Sequence, residues 1–329
     1  FHGYTVEQIE KEGFKIIERV ESLILGDTKE AISNAMGNTI VKFSSIWQRL
    51  EKEVDLVFAL GDRYEMFAAV TASVPFNIKI AHIHGGETTL GAIDNTFRHA
   101  ITLMSSLHFT STKEYAQKVA SLIASDKNTY NVGALSLDNL TAFKLLNQED
   151  FKNKYQIDIS IPTILITFHP ETVSVEKNAS YAEILVNTFQ DLSEEFQLVI
   201  TMPNADTMGS VIRERFNELE GKKYSIIRIE NFGTLGYFSC MKHCAFLLGN
   251  TSSGIIEAAS FGKYVINLGN RQEGRAQSEN IIDSNIKYSD ILAAITDLKK
   301  KGISYKGTNV YHLKNSSQAI IKALKEYNE

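Results

Sequence analysis

The sequence predicts an α/β chain built as two doubly wound domains with a ligand cleft between them. Short apolar runs, rich in β-branched residues, alternate with longer amphipathic stretches, the pattern of parallel sheets covered by helices on both faces. One polar stretch, "NQEDFKNKYQIDISIP" (147–162), divides the alternation into two halves. Polar and titratable residues gather where the apolar runs end, and in open α/β sheets the ligand lies beyond the carboxyl ends of the strands.

The expected strands of the first half are "VDLVFAL" (54–60), "IKIAHI" (78–83), "SLHFTS" (106–111) and "TYNVG" (129–133). Those of the second are "TILITF" (163–168), "QLVITM" (197–202), "YSIIRI" (224–229), "AFLLG" (245–249) and "YVINLG" (264–269). Their short length and composition suit strands buried on both faces. Helical patterns such as "RYEMFAAVTASV" and "YAEILVNTFQDLSEEF" lie between them. The expected division is a first domain over 1–155, a second over 156–310 and a final helix in 311–329. That helix, "SSQAIIKALKEYNE", could pack on either domain. The chain opens at Phe1 in a helical pattern, where an α/β chain normally opens with a strand.

Composition narrows the function classes. Hydrophobic content of 43% with 22% charged residues fits a globular enzyme rather than a disordered chain. A net charge of -5 argues against nonspecific nucleic-acid binding, which needs a basic face. An anionic small molecule is still acceptable, since a few arginines and helix N-termini can hold one. No apolar run is long enough to span a membrane, and no secretory signal is visible. Two cysteines are too few for a disulfide framework, so a reducing cytoplasm is expected.

Six strand ends carry the candidate site: Gly61-Asp62-Arg63, His84-Gly85-Gly86-Glu87, His169-Pro170-Glu171-Thr172, Pro203-Asn204-Ala205-Asp206, Asn250-Thr251-Ser252-Ser253-Gly254 and Asn270-Arg271-Gln272. In "GNTSSGIIEAASFG" a small-residue turn enters a helix expected over 253–261, with Gly262 as its stop. Free backbone N–H groups there suit a phosphate, and an ordinary helix cap is the alternative. Neither a P-loop nor a G-x-G-x-x-G turn is present, which removes support from ATPase and dinucleotide readings. Arg271 and Arg275 could clamp a diphosphate or be exposed loop charges.

"HIHGGE" (82–87) raises the question of a metal. His82 and His84, two apart on a strand, would share a face, with Glu87 or Asp94 as a third ligand. No H-E-x-x-H or C-x-x-C accompanies them, so no metal is expected. The Gly85-Gly86 pair suggests backbone brought close to a ligand. "CMKHC" places Cys240 and Cys244 on one helix face, where packing is the expected role. Asp94 could be a helix cap paired with Arg98, Asp62 a cap for a helix starting at Arg63, and His169 a core histidine. Their shared location at strand ends favours a common site.

Taken in order, "LGDRYE", "HIHGGE", "IDNTFRHAIT", "FHPET", "NADT", "GNTSSGIIE" and "INLGNRQEGR" resemble the hydrolysing UDP-N-acetylglucosamine 2-epimerases, in particular their bacterial sialic-acid and legionaminic-acid branch. The similarity runs over nearly the whole chain. It implies a glycosyltransferase-B-like fold of two Rossmann-like domains with a UDP-sugar in the interdomain cleft. The implied reaction eliminates UDP to a 2-acetamidoglucal, then adds water at C1 and a proton to the other face of C2. UDP-N-acetylglucosamine would give UDP and N-acetylmannosamine. The alternatives are the same reaction on UDP-2,4-diacetamido-2,4,6-trideoxyglucose, a UDP-sugar glycosyltransferase, or a non-catalytic UDP-sugar-binding protein.

The resemblance implies no NAD, no essential metal and a homodimer or homotetramer. It assigns Asp62, Asp94 and His169 to the sugar chemistry. Ser252, Ser253 and Glu257 go to the β-phosphate and ribose, Arg271 to the diphosphate or uridine end, and Arg63, Asn204 and Asn250 to substrate binding. His84 stands where many members have a catalytic glutamate, and Glu87 is the nearest substitute. Family members begin with a strand, a turn of the type TG(S/T)RA(D/E)YG, a helix and a second strand. That first unit is not in the sequence given. Its arginine faces the substrate in the family, so a protein lacking it would be impaired.

Overall fold

The computed structural model describes residues 6–24, 28–138, 140, 144–171, 175–203 and 209–327. The first sheet joins β1 (Val57–Leu60), β2 (Ile80–Ile83), β3 (Leu107–Thr110) and β4 (Thr129–Asn131), parallel and in sequence order. The second holds β5 (Thr163–Thr167), β6 (Gln197–Thr201), β7 (Ile226–Ile229), β8 (Phe246–Gly249), β9 (Val265–Leu268) and β10 (Ile281–Ser284). Its order is β10-β9-β8-β5-β6-β7, also parallel. The chain steps outward from β5 to β7 and then returns to lay β8 on the other side of β5. The switch point therefore lies between β5 and β8, where this class of sheet leaves a crevice for a ligand.

Each expected run became a strand, and β10 was not foreseen. "IIDS" is a half-buried edge strand, and its polar half hides the apolar signature that marks the buried strands. Side chains alternate across both sheets as period two requires. Ile164 and Ile166 pack with Leu185 and Phe189 on one face of the second sheet. Leu165 packs on the other face with Val199, Phe238, Cys240 and Cys244. The two cysteines are thus buried packing residues, as their spacing suggested.

In the first sheet, Ala59 and Ile80 meet Trp47 and Val70 on one face. Ala81, Ile83 and Phe109 meet Ile320 and Ala323 on the other. The final helix, Ser316–Glu326, therefore packs on the first sheet. Its preceding residue, Asn315, offers no capping bond. Asp138 does the capping from a distance, accepting from the N–H groups of Ser316 at 3.1 Å and Ser317 at 2.7 Å. The helix Gln148–Tyr155 buries Phe151 in the second core, so it packs with the sheet that follows it. Tyr115, Ala134 and Leu137 of the first half meet Ile255 and Ile256 of the second and Tyr311 of the returning chain. No helix of the described residues is long and apolar enough to cross a membrane.

Candidate active site

A cavity of about 230 Å³ opens between the carboxyl ends of the two sheets. Asp62, Arg63, Thr89, Ala92 and Asp94 wall it from the first half; His169, Thr251, Ser252, Arg271, Gln272 and Arg275 wall it from the second. Both halves thus contribute charged groups to one space, as expected of a cleft site. Seven of the residues given candidate roles in the sequence line this cavity: Asp62, Arg63, Asp94, His169, Ser252, Arg271 and Arg275.

Asp62 follows β1 but caps nothing. The helix starts at Tyr64, its cap position is Arg63, and no side chain there makes a capping bond. Instead Asp62 Oδ2 accepts from Nη2 of Arg98, 36 residues away and almost fully buried. Asp94 likewise is not a cap: it is the first residue of the helix Asp94–Leu103, behind Ile93. A carboxylate at that position is favoured by the positive helix end. One helix thus presents Asp94 to the cavity and, a turn later, sends Arg98 to hold Asp62. Arg63 is half exposed, with Nε 3.2 Å from Glu65 Oε2.

His169 follows β5, and its backbone is fixed by Asn250 after β8. Its N–H donates to Asn250 Oδ1 at 2.7 Å, and Asn250 Nδ2 donates to the His169 carbonyl at 2.9 Å. Asn250 is fully buried, so in this structure it bridges the switch point and holds the histidine rather than facing the cavity. Arg271 Nη1 donates to the Pro170 carbonyl at 2.7 Å. Thr251 caps the short helix Ser252–Ile256 by accepting from the Ser253 N–H, a turn of 3₁₀ helix follows, and Gly262 ends it at φ 66°. Glu257 is buried. Its Oε1 accepts from Ser136 of the first half at 2.5 Å, and its Oε2 has no hydrogen-bond partner among the described residues. Burial pushes this carboxyl up, against the pull of Ser136. Asn204 and Asp206 lie outside the described residues.

The histidine pair of "HIHGGE" does not form a shared face. The strand ends at Ile83, and His84 turns away in the left-handed region at φ 66°. His82 is a core residue. Its Nε2 lies 2.8 Å from the Gly61 carbonyl, so it carries the proton, and Nδ1 sits 3.1 Å from the Thr102 hydroxyl. Among the described residues no three His, Cys, Asp or Glu side chains converge as a metal ligand set. The two glycines also serve packing. A Cβ on Gly86, at φ 79°, would meet the Tyr115 carbonyl at 2.6 Å; one on Gly85 would meet His82 Nδ1 at 3.0 Å. The closeness expected toward a ligand is here closeness to the protein itself.

Glu87 is 1% exposed. Its Oε1 accepts from His84 Nδ1 at 2.7 Å and from Ser111 Oγ at 2.6 Å, and its Oε2 accepts from Arg275 Nη1. Burial alone would push the carboxyl up. Arg275 first, then His84, outweigh that and hold it well below the ordinary range. A carboxylate held so low is a weak base at neutral pH, and both its oxygens are taken by His84, Ser111 and Arg275. Arg275, for which the sequence offered a diphosphate clamp or an exposed loop charge, is buried as the ion-pair partner of Glu87 and also lines the cavity.

His82 and His108 sit side by side in register on β2 and β3. Burial, with smaller charge effects, pushes His82 down to about 3. Burial pushes His108 down to about 4. A histidine depressed in the folded state binds its proton more readily when unfolded. Its stabilising contribution is therefore complete above the unfolded value near 6.5 and is lost as pH falls toward 4. Each should cost about 1.4 kcal/mol of stability per pH unit in that window. Urea unfolding between pH 7 and 4 should show the loss, and His108→Gln should reduce the slope; an unchanged slope would refute this assignment.

The profile of the UDP-N-acetylglucosamine 2-epimerase family matches residues 2–325. A diacetylbacillosamine 2-epimerase (hydrolyzing) of Campylobacter jejuni, named for GDP- or UDP-linked sugar, is 34% identical, covering 91% of this chain and 77% of its own length. The chain belongs to the hydrolysing UDP-N-acetylglucosamine 2-epimerase family. The UDP-N,N'-diacetylbacillosamine 2-epimerase of Legionella pneumophila is 31% identical over 98% of this chain and 84% of its own. Polysialic acid biosynthesis protein P7 of Escherichia coli is 31% identical over 99% and 83%. The crystal structure of the Neisseria meningitidis UDP-GlcNAc 2-epimerase bound to UDP-GlcNAc superposes with a TM-score of 0.80 at 18% identity, covering 98% of this chain and 89% of that one. The glycosyltransferase-B-like pair of Rossmann-like domains follows. Epimerase membership also gives the coarse activity, 2-epimerisation of a UDP-sugar.

Thr251 and Gln272, placed at strand ends in the sequence but given no role there, line the epimerase cleft. Ser111 and Ser136 hold Glu87 and Glu257. Single hydroxyls and amides in loops carry no periodic signal. Position at a strand end marked Thr251 and Gln272, and Ser111, directly after β3, could have been marked the same way.

Proposed function

We propose that the protein is a hydrolysing 2-epimerase of a UDP-linked 2-acetamido sugar, releasing UDP and the free 2-epimer. The observation that carries this is the convergence on one cavity of Asp62 and Asp94 from the first half with His169, Arg271 and Ser252 from the second. The C2 hydrogen of a closed sugar ring is not adjacent to a carbonyl and is a poor acid. It becomes acidic as the C1–O bond breaks and positive charge builds at C1. The enzyme must therefore stabilise a departing diphosphate and offer proton-transfer groups on both faces of C2. Arg271 and Ser252 suit the diphosphate. Asp62, Asp94, His169 and His84 are the groups for the sugar, each proton transfer contributing about 10²–10⁴-fold. Arg63, Ser253 and Glu257 are proposed to hold the substrate, Glu257 by accepting from ribose hydroxyls at its unpartnered oxygen. The substrate is UDP-N-acetylglucosamine or its 2,4-diacetamido-2,4,6-trideoxy analogue. The names of the Campylobacter and Legionella relatives favour the second.

Both sugars should be incubated with the protein in deuterated water. Release of UDP with one deuterium at C2 of the free 2-epimer is expected, and faster with the diacetamido substrate. UDP release without C2 label would overturn the mechanism. Transfer of the sugar to an added acceptor would favour a glycosyltransferase, and UDP binding without turnover a silent binding protein.

A further inference from the structure

Arg275 belongs to the second half of the chain, yet Nη1 of its guanidinium donates to Glu87 of the first. Arg275 and Glu87 form an ion pair in which the side chains are 6% and 2% exposed. The loop that carries Arg275 is held for this purpose. The Ala276 N–H donates to Tyr115 Oη at 2.6 Å, and Tyr311 Oη donates to the Ala276 carbonyl at 2.8 Å. The two phenol oxygens are 3.3 Å apart. Since the Tyr311 proton is already given to Ala276, Tyr115 donates between them. One residue pair further back, the Leu90 N–H donates to the Glu273 carbonyl at 2.9 Å. The arginine is thus presented to Glu87 by contacts that exist only while the two halves are together.

What Glu87 does with that support is visible at its other oxygen. A carboxylate only accepts, so His84 Nδ1, 2.7 Å from Oε1, carries the proton. Nε2 is then the nitrogen left to gain or lose one. A histidine fixed in this way by a carboxylate has its ring orientation and tautomer chosen for it.

We propose that Arg275 is a positioning residue that reaches across the cleft to hold Glu87, and through Glu87 fixes His84 with Nδ1 protonated and Nε2 as its working nitrogen. His84 is then set for proton transfer only in the closed cleft. The inference deepens the 2-epimerase reading and rests on it for the role of His84. The depressed Glu87 carboxyl agrees with it, because an ionised partner is what Nδ1–H requires. The charged and titratable groups facing the pair are Arg275, Arg98, Tyr115 and Tyr311 around Glu87, and Glu257 and His82 around His84. The binding alternative, Arg275 as a diphosphate clamp, makes different predictions.

The test compares wild type with Arg275→Met, Arg275→Lys, His84→Gln and the Arg275→Met/His84→Gln double variant. Arg275→Met should lower kcat tenfold or more, roughly the scale of a misplaced proton-transfer group, with KM for the UDP-sugar little changed. Arg275→Lys, which keeps a cation and serves if the Met variant fails to fold, should recover part of the loss. In the His84→Gln background Arg275→Met should have no further effect, as for residues acting through one another. Nitrogen-15 spectra of labelled histidine, assigned with His84→Gln, should show His84 Nδ1 as the N–H in wild type and a tautomer mixture in Arg275→Met, with Arg275→Lys between them. A rise in KM at constant kcat, additivity in the double variant, or a His84 tautomer unmoved in both Arg275 variants would each overturn the proposal. If wild type turns over neither UDP-sugar, the 2-epimerase reading fails, and the nitrogen-15 comparison still decides whether Arg275 sets His84.

Discussion

Asp94→Asn is expected to lower turnover of the UDP-sugar by about 10²–10⁴-fold, the range for loss of a positioned proton-transfer group, while UDP binds nearly as before. The substitution keeps the shape of the side chain and removes its charge and basicity. Asp94 stands on the wall contributed by the first half, at the start of a helix whose positive end favours the carboxylate. There it would face the sugar of a substrate whose diphosphate binds, as proposed above, at Arg271 and Ser252. His169→Ala should behave the same way, because Asn250 anchors its backbone at the switch point and His169 lines the cavity. Glu257→Ala should do the reverse, weakening UDP binding with kcat largely kept. Steady-state kinetics with calorimetric titration of UDP separates the two patterns. If Asp94→Asn weakens UDP binding and spares kcat, Asp94 belongs to the nucleotide subsite and the division of the cleft drawn above is wrong.

The sheets were legible because their signals are local. A run such as "TILITF" is short, apolar and β-branched, and nothing distant is needed to make it a buried strand. The strand ends then pointed to the cleft, since a parallel sheet aims all its carboxyl ends the same way. The pairings inside the cleft were not legible. Helical spacing suggested that Arg98 serves Asp94, yet it bonds Asp62, 36 residues earlier, because β1 and the helix Asp94–Leu103 meet only in three dimensions. Alternation suggested that His82 and His84 share a face. That fails because the chain leaves the strand at Ile83 and Gly86 packs its backbone on Tyr115, and nothing in six residues announces either event. Glu87 appeared as a spare base because its partners Ser111 and Arg275 come from another strand end and another domain. Residues were identifiable one at a time from type and position. Their roles depended on which distant group each one faced.

Gly91→Ala tests whether the cleft works only when its two halves interlock. A Cβ at position 91 would lie 2.1 Å from the Asn270 carbonyl oxygen and 2.7 Å from Arg271 Cα. Both are backbone atoms, so no side-chain rotation relieves the clash and the loops must separate. Those loops belong to different halves: one follows Glu87 and supplies Thr89 and Ala92 to the cavity, the other supplies Arg271, Gln272 and Arg275. Pushing them apart by about 1 Å moves Arg271 away from Asp62 and Asp94 across the cavity, a displacement that can cost about 10²-fold in rate. It also strains the Leu90–Glu273 backbone bond, worth about 1 kcal/mol. The cores on the faces of the two sheets are not touched, since the nearest affected atoms are loop backbone, so the melting temperature should move by only a few degrees. The expected result is therefore a folded protein with kcat/KM down by about two orders of magnitude and a larger radius of gyration in solution scattering. Wild-type kcat/KM in Gly91→Ala would mean that the interlocked loops are incidental to catalysis and that the two walls need not meet as closely as they do here.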